Sequence, residues 1–102
     1  MQSEIVYEMG YLASEFGDVL SGSFSGDKSS YSSQALATGH WQVRDKTTSF
    51  CVDIEISQQP ERELGMFRLP VLRVCFNFQE DADDARAQFF KRFHQYFHKG
   101  GG

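Results

Sequence analysis

The chain has 102 residues, 40% of them hydrophobic and 24% charged, with a net charge of -4. A length of roughly 100 to 200 residues per domain gives one domain, residues 1–102, and the composition excludes a disordered acidic segment. The acidic balance argues against broad binding to a phosphate backbone, and the apolar residues nowhere form a run long enough to span a bilayer.

Residues 1–9 contain Glu4 and Glu8 but no Lys or Arg, so no export signal is expected there. The first basic residue is Lys28, which disfavours a basic membrane-binding amino terminus. Two periodicities compete at this end. Ile5, Met9, Leu12, Ala13, Phe16 and Leu20 form a helical stripe, whereas Ile5, Tyr7 and Met9 alternate as in a strand. Gly10 and Gly17 weaken a continuous helix.

Residues 21–33 hold seven serines with Gly22 and Gly26. Leu20 and Phe24 alternate with small residues, so DVLSGSF and the stretch from Gln34 to Thr38 are read as two strands joined by a turn at Gly26 and Asp27, in preference to a long mobile loop. The same segment superficially resembles a phosphate cradle. Its glycine spacing is wrong for one, and Asp27 precedes Lys28 where a second glycine would be needed.

In GHWQVRD, Trp41 and Val43 alternate with His40, Gln42 and Arg44, and in SFCVDIEIS, Phe50, Val52, Ile54 and Ile56 alternate with Cys51, Asp53 and Glu55. A turn over residues 45–48 makes these two strands an antiparallel hairpin. Residues 57–63 are polar and, with Pro60 and Gly65, read as a connection. Beyond it, Leu72, Val74, Phe76 and Phe78 share one strand face, but Phe67 and Leu69 have the opposite parity. A bend or bulge near Pro70 accounts for the change.

The last element is a helix in which Ala82, Ala85, Phe89, Phe93, Tyr96 and Phe97 recur at three- and four-residue intervals. Glu80, Asp81, Asp83 and Asp84 stand at its start and Lys91, Arg92 and Lys99 toward its end, matching the helix dipole. Gly100 supplies a stop. Together these elements predict an α+β fold in which an antiparallel, meander-like sheet of about four strands packs against a carboxyl-terminal amphipathic helix. Phe93 should face Val52, Ile54, Val74 or Phe76.

The chemistry-bearing residues are sparse. His94 and His98 are one helical turn apart and are the weak candidates for a metal, but no HExxH companion exists and no metal or other cofactor is expected. Cys51 and Cys75 lie in alternating apolar segments and read as reduced structural thiols. The acids near the helix start are explained by the dipole, and Asp53 and Glu55 by solvation of one sheet face. Gly100, Gly101 and Gly102 resemble the diglycine ends of small modifiers and sulfur carriers in the tail alone; directly after a helix, they read as a stop and a frayed end.

Fifteen aromatics, ten of them Phe, with no convergent catalytic set predict a noncatalytic interaction or assembly module of the cytoplasm, acting through its surface on a protein partner or as a homodimer. The alternative is a small-ligand or minor enzymatic domain with a site between sheet and terminal helix. Trp41, His94 and Tyr96 are then the lining groups.

Overall fold

The buried Phe residues are spaced so that two helices close over one face of a sheet. A computed structural model describes residues 3–24, 26, 29–79 and 83–97. Its elements in chain order are β1 (Ser3–Met9), α1 (Ala13–Ser23), β2 (Tyr31–Ala37), β3 (His40–Asp45), β4 (Cys51–Leu64), β5 (Phe67–Phe78) and α2 (Asp83–Tyr96). The sheet order is β1-β5-β4-β3-β2, with every pairing antiparallel. The α+β class and the helix-covered antiparallel sheet are as the sequence predicts, with five strands instead of about four. Strands β2 to β5 form the meander, and β1 adds the fifth strand on the far side of β5.

Both periodicities at the amino terminus are real, one after the other. Ile5, Tyr7 and Met9 alternate in β1, and Phe16 and Leu20 face the core one helical turn apart in α1. Gly10 falls between the two elements. The expected strand over DVLSGSF is therefore wrong. Those residues form the second half of α1 and its end, because Phe16, Leu20 and Phe24 at four-residue steps are all fully buried. Only the second expected strand of that pair exists, as β2, and Asp27 of the expected turn lies outside the described residues.

Register fixes the core. Val52 lies opposite Phe78, Ile54 opposite Phe76 and Ile56 opposite Val74, while Val43 faces Val52 on the other side. Phe93 of α2 sets its ring edge-on to Phe76 at 5.2 Å and stacks on Phe97 at 4.3 Å. Phe97 in turn meets Phe16 of α1 at 4.8 Å, which joins both helices above the same sheet face. The opposite face is polar, as in the hydrogen bond donated by Gln42 Nε2 to Asp53 Oδ1 at 3.1 Å.

Residues 57–63 are strand, not connection: β4 runs on to Leu64. The alternation that marks a half-buried strand is missing there because Gln58 turns a polar side chain to the first turn of α1, and the stretch beyond it projects from the sheet with both faces largely exposed. The bulge anticipated at Pro70 lies across from it. Gln59 pairs with Val71 and Arg62 with Leu69, so Pro60 and Glu61 together oppose Pro70.

Candidate interaction surface

The three aromatic candidates occupy separate places. Trp41 packs on Phe16 with ring centres 5.8 Å apart, beneath Gly17 of α1, and is half-buried. His94 is exposed on α2, stacked on Phe90 at 5.9 Å and near Tyr7 at 6.0 Å. Tyr96, also exposed, has the Arg92 guanidinium 5.4 Å above its ring. Arg92 donates from Nε to the Ser23 carbonyl at 2.8 Å, which fastens α2 to the end of α1. Between sheet and α2 the space is filled by Phe76, Phe78, Phe89 and Phe93, all fully buried.

Trp41 does line a concavity, but on the α1 side. It is a shallow groove of about 620 Å³ whose walls include Ala13, Gly17, Ala35, Ile56 and Gln58. His94 and Tyr96 are not among its lining residues. His98 and the terminal glycines lie outside the described residues, and among the described residues no group of three His, Cys, Asp or Glu side chains is placed to hold a metal.

The two thiols are free and share the polar sheet face without facing each other: Cys51 lies opposite Arg44 and Cys75 opposite Glu55. Burial pushes the Cys75 thiol up to about 11, helped by the hydrogen bond it donates to Glu4 Oε2 at 3.2 Å and by the charges of Glu4 and Glu55. Burial also raises Cys51. Neither thiol is a ready nucleophile at neutral pH.

The conspicuous surface is the distal hairpin of β4 and β5. Strand β3 stops at the His40–Glu55 pair and β1 at the Met9–Leu72 pair, so among the described residues no strand pairs with either edge of the ribbon beyond them. Gly65, at φ +62, and Met66 close it in a two-residue turn with the glycine first, a favoured hairpin form. The register puts Leu64 opposite Phe67 and Arg62 opposite Leu69, so period two gathers all four on one face. Glu63 and Arg68 take the other face and pair at 3.8 Å. Met66 is 98% exposed, Phe67 73%, Leu64 54% and Leu69 44%. At the base, Arg62 pairs with Glu8 at 3.8 Å beside a cleft of about 310 Å³ walled by Met9, Gly10, Leu69, Pro70 and Val71.

Sequence reasoning missed this arm. The available signal was the alternation of Phe67 and Leu69 with Arg68 directly after Gly65, facing a charged strand of matching length. Among the described residues no helix is long and apolar enough to cross a membrane. No family pattern, curated protein or solved structure matches the chain. Fold and surface together describe a small sheet domain covered by two helices, with an apolar-tipped β-arm.

Proposed function

We propose that this protein is a noncatalytic protein-interaction module whose contact surface is the β4–β5 arm. One observation carries the reading: Leu64, Met66, Phe67 and Leu69 are exposed together on a projecting ribbon, while the chain's other Phe side chains are buried in the core or, as with Phe90, packed against it. The ribbon's free edges offer backbone hydrogen bonds, and its apolar stripe offers side-chain contacts, the combination used in strand-addition recognition. The same reading includes self-association as a homodimer and a cytoplasmic setting, to which two unbridged thiols are suited. The net charge of -4 gives nucleic acid no advantage as a partner.

The test compares wild type with a Met66→Ser/Phe67→Ser variant of unchanged circular dichroism and melting temperature. A specific protein retained from native lysate by wild type, lost by the variant and bound again when purified supports the arm. Equal retention by both chains overturns it, and retention of anionic lipid vesicles by wild type alone reassigns the arm to a lipid surface.

A second reading rests on the groove beside Trp41, where an indole meets the polar groups of Gln58 and Thr38. Trp41 is the chain's single tryptophan, so its emission reports directly on the groove. A small-molecule library that leaves this emission unchanged at millimolar concentration rules the reading out.

A further inference from the structure

At the base of the arm, β1 ends at Met9, opposite Leu72, while β5 continues outward through Val71, Pro70 and Leu69. Along that stretch lies the cleft of about 310 Å³, with Met9, Gly10, Leu69, Pro70 and Val71 as walls and Glu8 and Arg62 as its charged residues. The ladder decides what this edge can offer. Gln79 donates to the Cys51 carbonyl, so the bonded pairs between β4 and β5 fall at Gln79, Asn77, Cys75, Arg73 and Val71, and the intervening Leu72 and Pro70 turn their backbone groups to the β1 side. Pro70 has no N–H, so an added strand continuing the row of β1 would find no donor there. A small molecule needs apolar walls and a few polar groups instead of a ladder, and that is what the cleft provides. Two opposite charges meet at its rim. Glu8 of β1 and Arg62 of β4 reach toward each other across β5, with Oε1 and Nη2 3.8 Å apart. At that separation they attract without a hydrogen bond, and with side chains 62% and 59% exposed the pair is weak and keeps its hydrogen-bonding capacity.

We propose that this cleft binds a free amino acid with an apolar side chain. The occupant follows from the charge pattern. A guanidinium and a carboxylate side by side complement a molecule that carries both an ammonium and a carboxylate: its carboxylate takes the donors of Arg62, its ammonium donates to Glu8, and like charges stand on the diagonals. Both groups of an α-amino acid leave the same carbon, so their separation is of the same order as the 3.8 Å between Arg62 and Glu8. A simple carboxylate would meet Arg62 but bring its charge against Glu8, and a simple amine the reverse. The side chain then lies on Leu69, Pro70 and Val71. The volume is at the small end of ligand clefts and suits a side chain the size of leucine or phenylalanine. This site stands apart from the arm's protein contact, because Met66 and Phe67, on which that contact is tested, do not line the cleft.

The deciding experiment titrates the isotope-labelled full chain with leucine and follows the backbone amide resonances. Gly10, Leu69 and Val71 should shift together and saturate with a dissociation constant of roughly 1 mM or tighter. Three analogues dissect the contact on the unaltered protein. N-acetyl-leucine lacks the ammonium, leucinamide lacks the carboxylate and serine lacks the apolar side chain, and each should bind at least roughly tenfold more weakly than leucine. Glu8→Gln should erase the preference for leucine over N-acetyl-leucine, and Arg62→Gln the preference over leucinamide, with amide spectra otherwise unchanged. The absence of any shift with leucine at roughly 10 mM overturns the inference. So does binding of N-acetyl-leucine or leucinamide as tight as that of leucine, or a response confined to Trp41 and its groove. Met66→Ser/Phe67→Ser should leave leucine binding unchanged, so failure of the arm's protein contact and failure of the cleft are read separately.

Discussion

Gln58 holds Ala13 in place. Its side-chain oxygen accepts the Ala13 backbone N–H at 2.9 Å, while its amide donates to the Val71 carbonyl at 3.0 Å. One side chain of β4 therefore caps the first turn of α1 and ties it to β5. Leu12 stands at the position before the helix, where a Ser or Asp would normally supply an acceptor, so Gln58 provides from the sheet what the local sequence lacks.

Gln58→Ala should accordingly cost about 1 kcal/mol, the ordinary value of a lost cap. Urea titration followed by circular dichroism measures it. A change below the error of the titration would mean that water caps Ala13 equally well.

Phe93 carries the contact between α2 and the sheet. It is fully buried, edge-on to Phe76 and stacked on Phe97. Phe93→Ala should cost roughly 3 to 5 kcal/mol through lost transfer energy and the cavity left behind, and His94→Ala, at an exposed neighbour, about 0.5 kcal/mol or less. Paired denaturant midpoints decide between this asymmetry and a loosely attached helix, for which both substitutions would be mild.

The two glycines of α1 should respond differently to alanine. A methyl group at Gly22 meets nothing within 4 Å, so Gly22→Ala should raise stability by about 0.5 to 1 kcal/mol through helix propensity and the lower entropy of the unfolded chain. At Gly17 the added carbon falls 3.2 Å from Trp41 Cζ2. Trp41 borders an open groove and has room to swing, so Gly17→Ala should gain less stability and shift the Trp41 emission toward that of a more solvated indole. Melting curves and fluorescence spectra of the two variants separate the effects.

What the sequence made legible was the buried part of the fold. Val52, Ile54, Val74, Phe76 and Phe93 disclose their faces because burial imposes a period of two on strands and 3.6 on helices. The period disappears where burial does. Pro60, Glu61 and Arg62 belong to a strand but read as a loop, since a ribbon wetted on both faces puts no demand on alternation. Gln58 adds to that reading because its place beside α1 is filled by hydrogen bonds instead of apolar contact. In DVLSGSF the small residues gave a false alternation around Leu20 and Phe24, which are in fact one helical turn apart. The candidate surface was harder still. Phe67 and Leu69 were visible as apolar residues, but their exposure follows from where β1 and β3 stop, a property of the pairing register that no local pattern contains.

The thiol of Cys75 connects this polar sheet face to pH. Its pKa is pushed up to about 11 from an ordinary 9.0, first by burial and then by Glu4, so the folded state favours the protonated thiol. Between these two values the unfolded chain has lost the proton and the folded chain retains it. The resulting stabilisation is fully present below pH 9 and declines as the pH rises toward 11. Alkylation follows the same logic, because the thiolate is the reacting species. In a Cys51→Ser background, iodoacetamide should label native Cys75 more slowly than the unfolded chain at pH 8.5, with a midpoint near 11. Glu4→Gln removes the carboxylate that opposes ionisation, so it should lower that midpoint and speed the labelling without unfolding the sheet. Mass spectrometry across a pH series gives both midpoints. An unchanged profile in the Glu4→Gln chain would show that burial alone restrains the thiol.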